Sequence, residues 1–315
     1  MTLVIIVTHN SQGTIQECLT ALEAARVKQP FDLVLIDNDS QDETLALARR
    51  FSWVKIKPQS QNLGFAKANN LALKWGLENN YNFFALINPD AFVSKNFLRP
   101  LLAVFQKFPT AGIAQPMILQ KKNPSLINTA GNSLHFLGLS TLSHYNQEFQ
   151  LKDWQIQEIP VASGAAMIIK KEVFAKIGLF NDDFFLYFED TEFCWRARLA
   201  GFSVWLEPKS LVYHDYIFKQ NPPRFYHLEK NRLYSWFSLW SFKAKFFLFP
   251  AWLVFELALI TSAFLNDWGK EKIKAYTVIS GEINYPFNPP PLGLKLINPF
   301  LRGYWRLIKK FLWRE

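Results

Sequence analysis

The sequence predicts an α/β protein in which a doubly wound, mostly parallel sheet is followed by a helical, aromatic extension. Over residues 1–110, short apolar runs alternate with segments of helical periodicity, and the runs are continuous instead of alternating apolar with polar. Continuous runs indicate parallel strands that are covered on both faces and joined by crossover helices. Beyond residue 224 the chain is predicted to be helical and is rich in Phe and Trp.

Four strand–helix repeats account for the first third of the chain. The run LVIIV at 3–7 precedes the helical pattern TIQECLTALEAA, and LVLI at 33–36 precedes ETLALARRF. In the same way SWVKIKP precedes GFAKANNLALKWGL, and FFALI at 83–87 precedes KNFLRPLLAVFQKF. This alternation is typical of a doubly wound domain of the nucleotide-binding type.

The stretch from 111 to 170 has a different pattern. Its short apolar segments with polar joins, GIAQPMIL, SLHFLGLST and IQEIPVASGAAMIIK, predict a mixed or antiparallel edge of the sheet. A helix over KKEVFAKIG should end at Gly178, since glycine is preferred just after a helix C-terminus. The run SVWLEP is predicted to be a last strand ahead of LVYHD. We therefore expect one domain over 1–223 and an extension over 224–315.

Composition limits the class of protein and its partners. Half of the 315 residues are hydrophobic and 19% are charged, which suffices for a large core. Thirty Phe and eleven Trp exceed what a soluble core requires, so we expect some aromatic surface to meet lipid or a partner. The net charge is +9, and residues 241–315 carry eleven Lys/Arg against five Asp/Glu. A tail that is both basic and apolar favours an anionic membrane surface over nucleic acid.

Cysteine usage and the N-terminus bear on the compartment. Cys18 and Cys194, with no CxxC, give neither a disulfide framework nor a zinc site, and a reducing compartment fits them. The opening MTLVIIVTHNSQ has no basic region and only five apolar residues before polar ones. It predicts a strand and not a signal peptide.

Polar side chains follow three of the predicted strands at the point where each strand ends. These clusters are Thr8-His9-Asn10, Asp37-Asn38-Asp39-Ser40 and Asn88-Pro89-Asp90. The carboxyl ends of parallel strands meet at one edge of a sheet, and open α/β sheets bind ligands there. We therefore expect the clusters to line one crevice. Helix capping is the alternative role, because Asn, Asp and Ser are the preferred N-caps.

The glycine pattern narrows the class of ligand. No GxGxxG follows the first strand and no GxxxxGK[ST] occurs, so neither a dinucleotide oxidoreductase nor a P-loop is predicted. Side chains could bind a nucleotide instead, with Asp37 accepting from base or ribose donors. The stretch QNLGFAKANN adds Gly64, which permits close backbone approach. It also adds Lys67, Asn69 and Asn70 as contacts for phosphate or ribose.

Asp90 and His214 are the candidate metal ligands. A diphosphate leaving group carries charge that Mg²⁺ or Mn²⁺ neutralises, and carboxylates hold such ions together with phosphate oxygens. His214 lies after a predicted strand and beside Asp215, whereas the other histidines have no ligand spacing and are expected to be structural or exposed. A strand-end turn capped by Asp90 is the alternative.

An acid cluster in FEDTEFCWRARLAGF stands out independently. Glu189, Asp190 and Glu192 crowd the start of a predicted helix, where the helix dipole stabilises anions, so simple capping is one explanation. The aromatic FFLYF immediately before would place these acids in a partly apolar environment, where the pKa of a carboxyl group rises towards the range of a general base.

The chain resembles the inverting family 2 glycosyltransferases, and in particular the bacterial rhamnosyltransferase-like branch that builds cell-surface polysaccharide. The resemblance lies in VIIVTHNS, VLIDNDSQDET, NLGFAKANN, LINPDA, ASGAAMIIKKEVFAKIGLFNDDFFLYFEDTEFCWRARLAGF and KNRLY, which occur in the family's order. It covers about residues 1–235. It implies a GT-A fold, a nucleoside-diphosphate-sugar donor and a divalent metal.

The resemblance implies roles for single residues. The family's metal motif falls on Asn88-Pro89-Asp90, and its general base falls within Glu189-Asp190, with Asp190 preferred. Its base- and ribose-binding positions fall on Thr8, Asn10 and Asp37. The predicted donor site as a whole comprises Thr8, Asn10, Asp37, Asn38, Gly64, Lys67, Asn69 and Asn88.

Two positions depart from the family pattern. Asn88 stands where many members have Asp, which lowers the expected metal affinity. His214 is followed by DYIFKQNPP in place of a Gly/Ser-rich segment, which leaves the donor sugar open.

We predict an inverting glycosyltransferase that moves a sugar, with rhamnose as a candidate, to a hydroxyl of a lipid-linked or oligosaccharide acceptor in cell-surface polysaccharide synthesis. Two alternatives stay open. A polyprenyl-phosphate sugar synthase would use a phosphate acceptor, which needs less help from a base. A catalytically inactive nucleotide-sugar-binding membrane partner is suggested by Asn88. No nucleic-acid partner is expected, because the basic residues of the tail share their helix with Trp, Phe and Leu.

The tail predicts a peripheral or monotopic location at the cytoplasmic face of the cell membrane. The stretch FFLFPAWLVFELALITSAFL at 246–265 has 16 apolar residues in 20, about the length that spans a bilayer. It also carries Pro250 and Glu256, and a central acid is expensive in hydrocarbon. The final LRGYWRLIKKFLWRE has the pattern of an interfacial helix that binds anionic lipid. Packing of these helices against the rest of the chain is the alternative.

Overall fold

The computed structural model describes residues 1–216 and 221–279, which fall into two compact units. The first unit contains residues 1–132 and 142–216, and the second contains residues 133–141 and 221–279. The predicted interfacial helix at 301–315 lies outside the described residues. The predicted domain boundary at residue 223 stays a prediction.

The strands are β1 Thr2–Thr8, β2 Asp32–Asp37, β3 Val54–Pro58, β4 Phe83–Ile87, β5 Ala91–Val93, β6 Ala111–Gln120, β7 Ile127–Thr129, β8 Asn132–Leu134, β9 Ser140–Leu142, β10 Gln157–Glu158, β11 Ala166–Lys170 and β12 Ser203–His214. The helices are α1 Ile15–Arg26, α2 Thr44–Ala48, α3 Phe65–Glu78, α4 Leu98–Lys107, α5 Lys171–Ile177, α6 Glu189–Leu199, α7 Pro222–Leu239, α8 Phe242–Leu265 and α9 Gly269–Ile279. A short 3₁₀ helix covers Leu151–Asp153.

The first unit is built on one mixed sheet in the order β10-β12-β6-β11-β4-β1-β2-β3, to which β5 and β7 add at β12 and β6. Strands β4, β1, β2 and β3 are mutually parallel, as predicted. The prediction that 111–170 contains antiparallel pairing is confirmed. The prediction that this stretch forms an edge is wrong, because β6 and β11 lie inside the sheet. Strand β11 runs antiparallel between β4 and β6, and β6 also pairs in parallel with β12.

Apolar strand faces and helices form the core of this unit. On one face, α1 and α4 pack over the inward residues of β1, β2 and β4, which include Val4, Leu33 and Ala85. Burying such aliphatic side chains stabilises the fold by about 1.5–3 kcal/mol each. Helix α5 ends at Gly178, whose φ of 76° is favourable for glycine, so this prediction is confirmed. Cys18 and Cys194 are buried thiols, and burial raises the pKa of both.

The second unit is helical, as predicted for the extension. Helix α7 begins at Pro222, where the missing N–H costs nothing, and the Asn221 side chain accepts a hydrogen bond from the Arg224 N–H at 2.9 Å. The segment 133–141 packs on α7, since Trp236 Nε1 donates to the Phe136 carbonyl at 3.2 Å. Helix α8 is long and apolar enough to cross a membrane, by length and composition.

Candidate active site

The three predicted polar clusters meet at one edge of the sheet. Strand β1 lies between β2 and β4 and is parallel to both, and Thr8 is the register partner of Asp37. The carboxyl ends of the three strands therefore point in one direction, and the polar residues that follow them lie at one edge of the sheet. The pairing confirms that these residues follow neighbouring parallel strands, and the crevice itself stays a prediction.

Asp37 and Thr8 are buried at this edge of the sheet. Thr8 Oγ1 donates to Asp37 Oδ1 at 2.8 Å, Ser40 Oγ donates to the same oxygen at 2.6 Å, and the Ser40 N–H donates to Oδ2 at 3.0 Å. Thr8 and Asp37 are 0% and 1% exposed. The Asp37 carboxylate thus fixes the turn after β2, and the predicted direct contact of both residues with a donor stays a prediction.

Two asparagines hold the loops that follow β1 and β2. Asn10 is exposed at the end of β1, with a φ of 50°, and its Oδ1 accepts from the Gln41 N–H at 2.8 Å. Asn38 is buried, and its Nδ2 donates to Asn62 Oδ1 at 2.8 Å. Asn38 Oδ1 accepts from the Leu63 N–H at 2.8 Å. Asn38 therefore holds the loop that leads into α3, a role that its sequence position did not reveal.

Gly64 brings that loop against a distant segment of the chain. Its φ of 80° and ψ of 173° lie in a region open essentially to glycine alone. A Cβ at this position would lie 2.4 Å from the Phe185 carbonyl oxygen. The N–H of the next residue, Phe65, donates to that same oxygen at 2.7 Å. Gly64 thus permits a close contact with the backbone that precedes the acid cluster.

The three polar residues predicted as ligand contacts on α3 differ in exposure and in hydrogen-bond partners. Lys67 is exposed on α3, so its ammonium is accessible to a ligand. Asn69 is buried, and its Nδ2 donates to the Phe65 carbonyl at 2.9 Å within the helix. Asn70 is also buried, and it bonds the Phe180 backbone and Asp182. Of the three, Lys67 alone is exposed, and the predicted roles of Lys67 and Asn69 as donor contacts stay predictions.

Asp90 and His214 come together although 124 positions separate them. Strand β5 pairs antiparallel with the end of β12, which sets Ala91 opposite His214. His214 Nε2 lies 3.2 Å from Asp90 Oδ1, and the imidazole is 7% exposed. On the other side of the ring, Nδ1 lies 3.4 Å from Oδ1 of the buried Asn128 in β7. Sequence reasoning missed Asn128, since a lone Asn in a short strand gives no signal.

This arrangement fits a divalent cation. If Nδ1 donates its proton to Asn128, Nε2 is left without a proton, and Nε2 and Asp90 Oδ1, which lie 3.2 Å apart, would offer a nitrogen and an oxygen ligand. Such a donor set suits Mn²⁺. In the described part of the chain no group of three His, Cys, Asp or Glu side chains converges. Phosphate oxygens and water would therefore complete the coordination.

Asn88 connects the carboxyl end of β4 to the residues that precede β11. Its N–H donates to the Ala165 carbonyl at 2.9 Å, and its side chain is partly exposed. The neighbouring Gly164 N–H donates to Asp190 Oδ2 at 2.8 Å. The Gly164–Ala165 dipeptide therefore connects the strand that carries Asp90 to the carboxylate of Asp190.

The predicted acid pair begins α6 after an unusual turn. Tyr187 and Phe188 have φ values of 66° and 72°, which are rare for bulky side chains and typical of strained functional segments. Burial, helped by the Asp190 charge, raises the pKa of Glu189 to about 8. Burial also raises the pKa of Asp190, but hydrogen bonds from the N–H groups of Gly164 and Thr191 oppose it. The two adjacent carboxyl groups thus have different environments.

Glu192 is not available for chemistry. It is fully buried, and its Oε2 accepts from Arg196 Nη2 at 2.9 Å. Arg198 pairs with Glu158 at 2.8 Å. Arg196 therefore pairs with an acid of its own helix, whereas the partner of Arg198 lies in β10. Trp195, at 2% exposure, is a core residue.

Comparison with known proteins identifies the family. Residues 3–178, more than half of the chain, match the family described as Glycosyl transferase family 2. A low-salt glycan biosynthesis hexosyltransferase of Haloferax volcanii is 25% identical over 208 residues, which cover 64% of this chain and 62% of the relative. An N-acetylglucosaminyl-diphospho-decaprenol L-rhamnosyltransferase of Mycobacterium tuberculosis is 25% identical over 233 residues, or 67% of this chain and 75% of the relative. The chain therefore spans less than two thirds of the length of the first of these relatives.

Solved structures with the same fold support this placement. GalNAc-T7 with UDP, GalNAc and Mn²⁺ has a TM-score of 0.59 at 18% identity, covering 92% of this chain and 59% of that one. A mannosyltransferase from Pyrobaculum calidifontis with GDP-Man and Mn²⁺ has a TM-score of 0.55 at 15% identity, covering 99% and 81%. These likenesses confirm the predicted GT-A type of fold. The match over residues 3–178 shows that the chain belongs to glycosyl transferase family 2.

Proposed function

We propose that this protein transfers a sugar from a nucleoside-diphosphate-sugar to a hydroxyl group of a lipid-linked glycan, with inversion at the anomeric carbon. One observation carries the proposal. The Gly164–Ala165 dipeptide joins Asp190 to the strand end of Asn88 and Asp90, so a base and a diphosphate site are held by the same two residues. An attacking hydroxyl and a departing diphosphate need this proximity.

Asp190 is the proposed general base. Among the described residues its Oδ2 accepts one hydrogen bond, from Gly164, so a second lone pair is available to an acceptor hydroxyl. Glu189 keeps its proton at neutral pH because burial raises its pKa to about 8. Asp190 is the proposed ionised member of the pair, because the N–H groups of Gly164 and Thr191 stabilise its charged form and oppose the rise of its pKa by burial. Asp190 takes the proton as the acceptor oxygen bonds the anomeric carbon and the bond from that carbon to the diphosphate oxygen breaks.

Asp90 and His214 are the proposed holders of a divalent cation, with Asn128 orienting the imidazole. When bound, such an ion supplies positive charge that stabilises the leaving diphosphate. The exposed Lys67 is a proposed phosphate contact. Asn10, which is exposed, and Asn88, which is partly exposed, are further proposed donor contacts, while the buried Thr8, Asp37 and Asn38 hold the adjoining loops.

The relatives suggest the kind of donor and acceptor. The mycobacterial relative is named for a rhamnosyl transfer to a decaprenol-linked sugar diphosphate, and a Shigella flexneri relative, 22% identical, is a dTDP-rhamnosyl transferase. We therefore propose a dTDP-rhamnose donor and a lipid-linked acceptor. The apolar α8 agrees with work at a membrane, where a lipid-linked acceptor would be held.

The test is turnover with Mn²⁺ and a panel of dTDP-rhamnose, UDP-N-acetylglucosamine and GDP-mannose, with a prenyl-diphosphate-linked sugar as acceptor. Asp190→Asn should keep donor affinity in calorimetry and lose transfer by roughly 10²–10⁴-fold, since general-base catalysis alone is removed. Asp90→Asn should lose Mn²⁺-dependent transfer by about 10²-fold or more. Asp153→Asn, an exposed acid on the 3₁₀ helix, is the matched control and should be unchanged.

Three results would contradict the proposal. Absence of binding and turnover with every donor would exclude a catalytic role. An active Asp190→Asn together with an inactive Glu189→Gln would move the base by one residue. Transfer to a prenyl phosphate but to no hydroxyl acceptor would favour the polyprenyl-phosphate sugar synthase.

A further inference from the structure

Helix α8 in the second unit has two faces of opposite character. Trp252, Glu256 and Ala263 are its buried residues, and spacings of four and seven place them on one stripe. Phe247, Val254 and Leu265 are 79%, 70% and 80% exposed, and spacings of seven and eleven align them on the opposite side. The exposed large apolar residues of the helix are Phe242, Phe246, Phe247, Phe249, Leu253, Val254, Leu257, Phe264 and Leu265.

The buried stripe is held by a network of charged groups. Glu256 accepts from Arg232 Nη2 of α7 at 2.7 Å, and also from Lys272 Nζ and the Tyr276 hydroxyl of α9. Glu229 of α7 accepts from Arg232 Nε at 2.9 Å and from Lys272. The two acids and two cations are between 0% and 6% exposed and balance in charge. Sequence reasoning took Glu256 as an isolated acid and missed its partners.

This network determines how α8 can meet a lipid bilayer. Glu256 is the fifteenth of 24 residues, so a crossing helix would put it near the bilayer centre. Its partners Arg232 and Lys272 come from α7 and α9, so the buried network joins α8 to both of these helices. A crossing α8 would therefore either carry Arg232 and Lys272 into hydrocarbon or leave Glu256 buried without partners, and both are costly.

Exposed cations outnumber exposed acids in the second unit, which favours an anionic lipid surface. In the described part of the second unit, six cationic side chains and two acids are at least partly exposed. The cations are Arg224, Lys230, Lys243, Lys245, Lys270 and Lys274, and the acids are Asp267 and Glu271. Lys243 and Lys245 lie at the start of α8, and Lys270 follows its end. An apolar face with cations at both ends is typical of a helix that lies in the interface of an anionic membrane.

We propose that α8 lies in the plane of an anionic membrane, with the stripe of Phe247, Val254 and Leu265 in the lipid and the Glu256 network directed away from it. This inference rests on the proposed work at a membrane and names how the chain binds there. It assigns the peripheral or monotopic attachment that the sequence predicts to one face of α8.

Flotation of the full chain with vesicles of phosphatidylcholine and phosphatidylglycerol tests the surface. Val254→Glu should lower the floated fraction roughly tenfold or more, because an apolar contact is replaced by a charge that the anionic surface repels. Val27→Glu is the matched control, since Val27 is 82% exposed in the first unit, and it should float like the wild type. Thermal unfolding of both variants should match the wild type, because neither site is buried.

Labelling of the helix ends tests the orientation. Single cysteines at Lys243→Cys and Asp267→Cys flank α8, and the native Cys18 and Cys194 are buried. An impermeant thiol reagent added outside intact vesicles should label both engineered cysteines. Protection of one end until detergent is added would show a span and overturn the inference. A wild type that does not float, or a Val254→Glu variant that floats normally, would also overturn it and assign the face to residues 280–315 or a second copy. Neither measurement needs a sugar donor. A failure of this inference can therefore be distinguished from a failure of the proposed glycosyl transfer.

Discussion

Replacing Gly64 by alanine should disturb the active site from a distance, and the size of the effect follows from the structure. The new Cβ would lie 2.4 Å from the Phe185 carbonyl oxygen, 2.6 Å from its ring carbon Cδ2 and 2.9 Å from its carbonyl carbon. Two of these three atoms belong to the backbone, so a rotamer change cannot relieve the overlap. Either the loop before α3 or the segment before Glu189 must move.

Two costs add up in the Gly64→Ala variant. A non-glycine residue held at φ of 80° and ψ of 173° costs about 1–3 kcal/mol. Displacing Phe185 also weakens the 2.7 Å hydrogen bond from the Phe65 N–H, which is worth about 1 kcal/mol. We expect a loss of about 2–4 kcal/mol, which lowers the melting temperature by roughly 5–15 °C in a unit of this size.

The catalytic effect should exceed what lost stability explains. Phe185 lies four residues before Glu189, so a shift there passes to the acid pair through the strained turn at Tyr187 and Phe188. Misplacement of a base by about 1 Å can cost up to 10²-fold in rate. We expect transfer by folded Gly64→Ala, measured well below its melting temperature, to fall at least about tenfold.

Gly13→Ala is the matched control. Among the described residues nothing lies within 4 Å of a Cβ at position 13, so the variant should melt and turn over like the wild type. Thermal unfolding and donor turnover are measured on both variants under one set of conditions. Equal melting and equal turnover of Gly64→Ala and Gly13→Ala would refute the proposed contact between Gly64 and Phe185.

Three further predictions use the same assays. Asn128→Ala should weaken Mn²⁺ binding by about 10–100-fold in calorimetry, because His214 loses the partner that orients its ring, and unchanged affinity would contradict this. Glu189 holds a proton up to pH about 8 in the fold but only to about 4.5 when unfolded. The unfolded chain therefore releases that proton first, and the free energy of unfolding should fall as pH rises from 4.5 to 8. Glu189→Gln should flatten this decline in denaturant titrations, and parallel slopes for variant and wild type would argue against it. Glu256→Gln should destabilise the second unit by about 3–5 kcal/mol in unfolding experiments, since Arg232 and Lys272 keep a buried excess charge; a wild-type unfolding curve would contradict the network.

The strands of the first third were predictable because parallel buried strands leave a continuous apolar signature. The placement of 111–170 was not predictable, since an apolar run does not record its direction or its neighbours. Strand β6 has nine buried residues in succession, which is the pattern of a central strand. In the structure β6 lies between β11 and β12, and these pairings join residues that are far apart in sequence.

The candidate site was predictable where it depends on strand ends and was missed where it depends on long-range pairs. The placement of Thr8, Asp37 and Asp90 at one edge of the sheet could be predicted, because each comes at or just after the end of a parallel strand. Asn128 meets His214 across 86 positions, and no local pattern marks such a contact. The hydrogen bond between Thr8 and Asp37 could have been inferred, because parallel pairing of β1 with β2 sets the two residues side by side.

The different environments of the Glu189 and Asp190 carboxyl groups depend on the Gly164 N–H. Both carboxyl groups lose water by burial, which raises the pKa of each. Asp190 regains stabilisation of its charged form from the Gly164 and Thr191 N–H groups, whereas in the described residues Glu189 Oε2 has no hydrogen-bond partner. Adjacent acids whose environments push their pKa values apart can serve as a charged and a neutral group at one pH. Since the carbonyl of the next residue, Ala165, also binds the Asn88 N–H, the peptide that sets the base also sets the position of the strand end that carries Asp90.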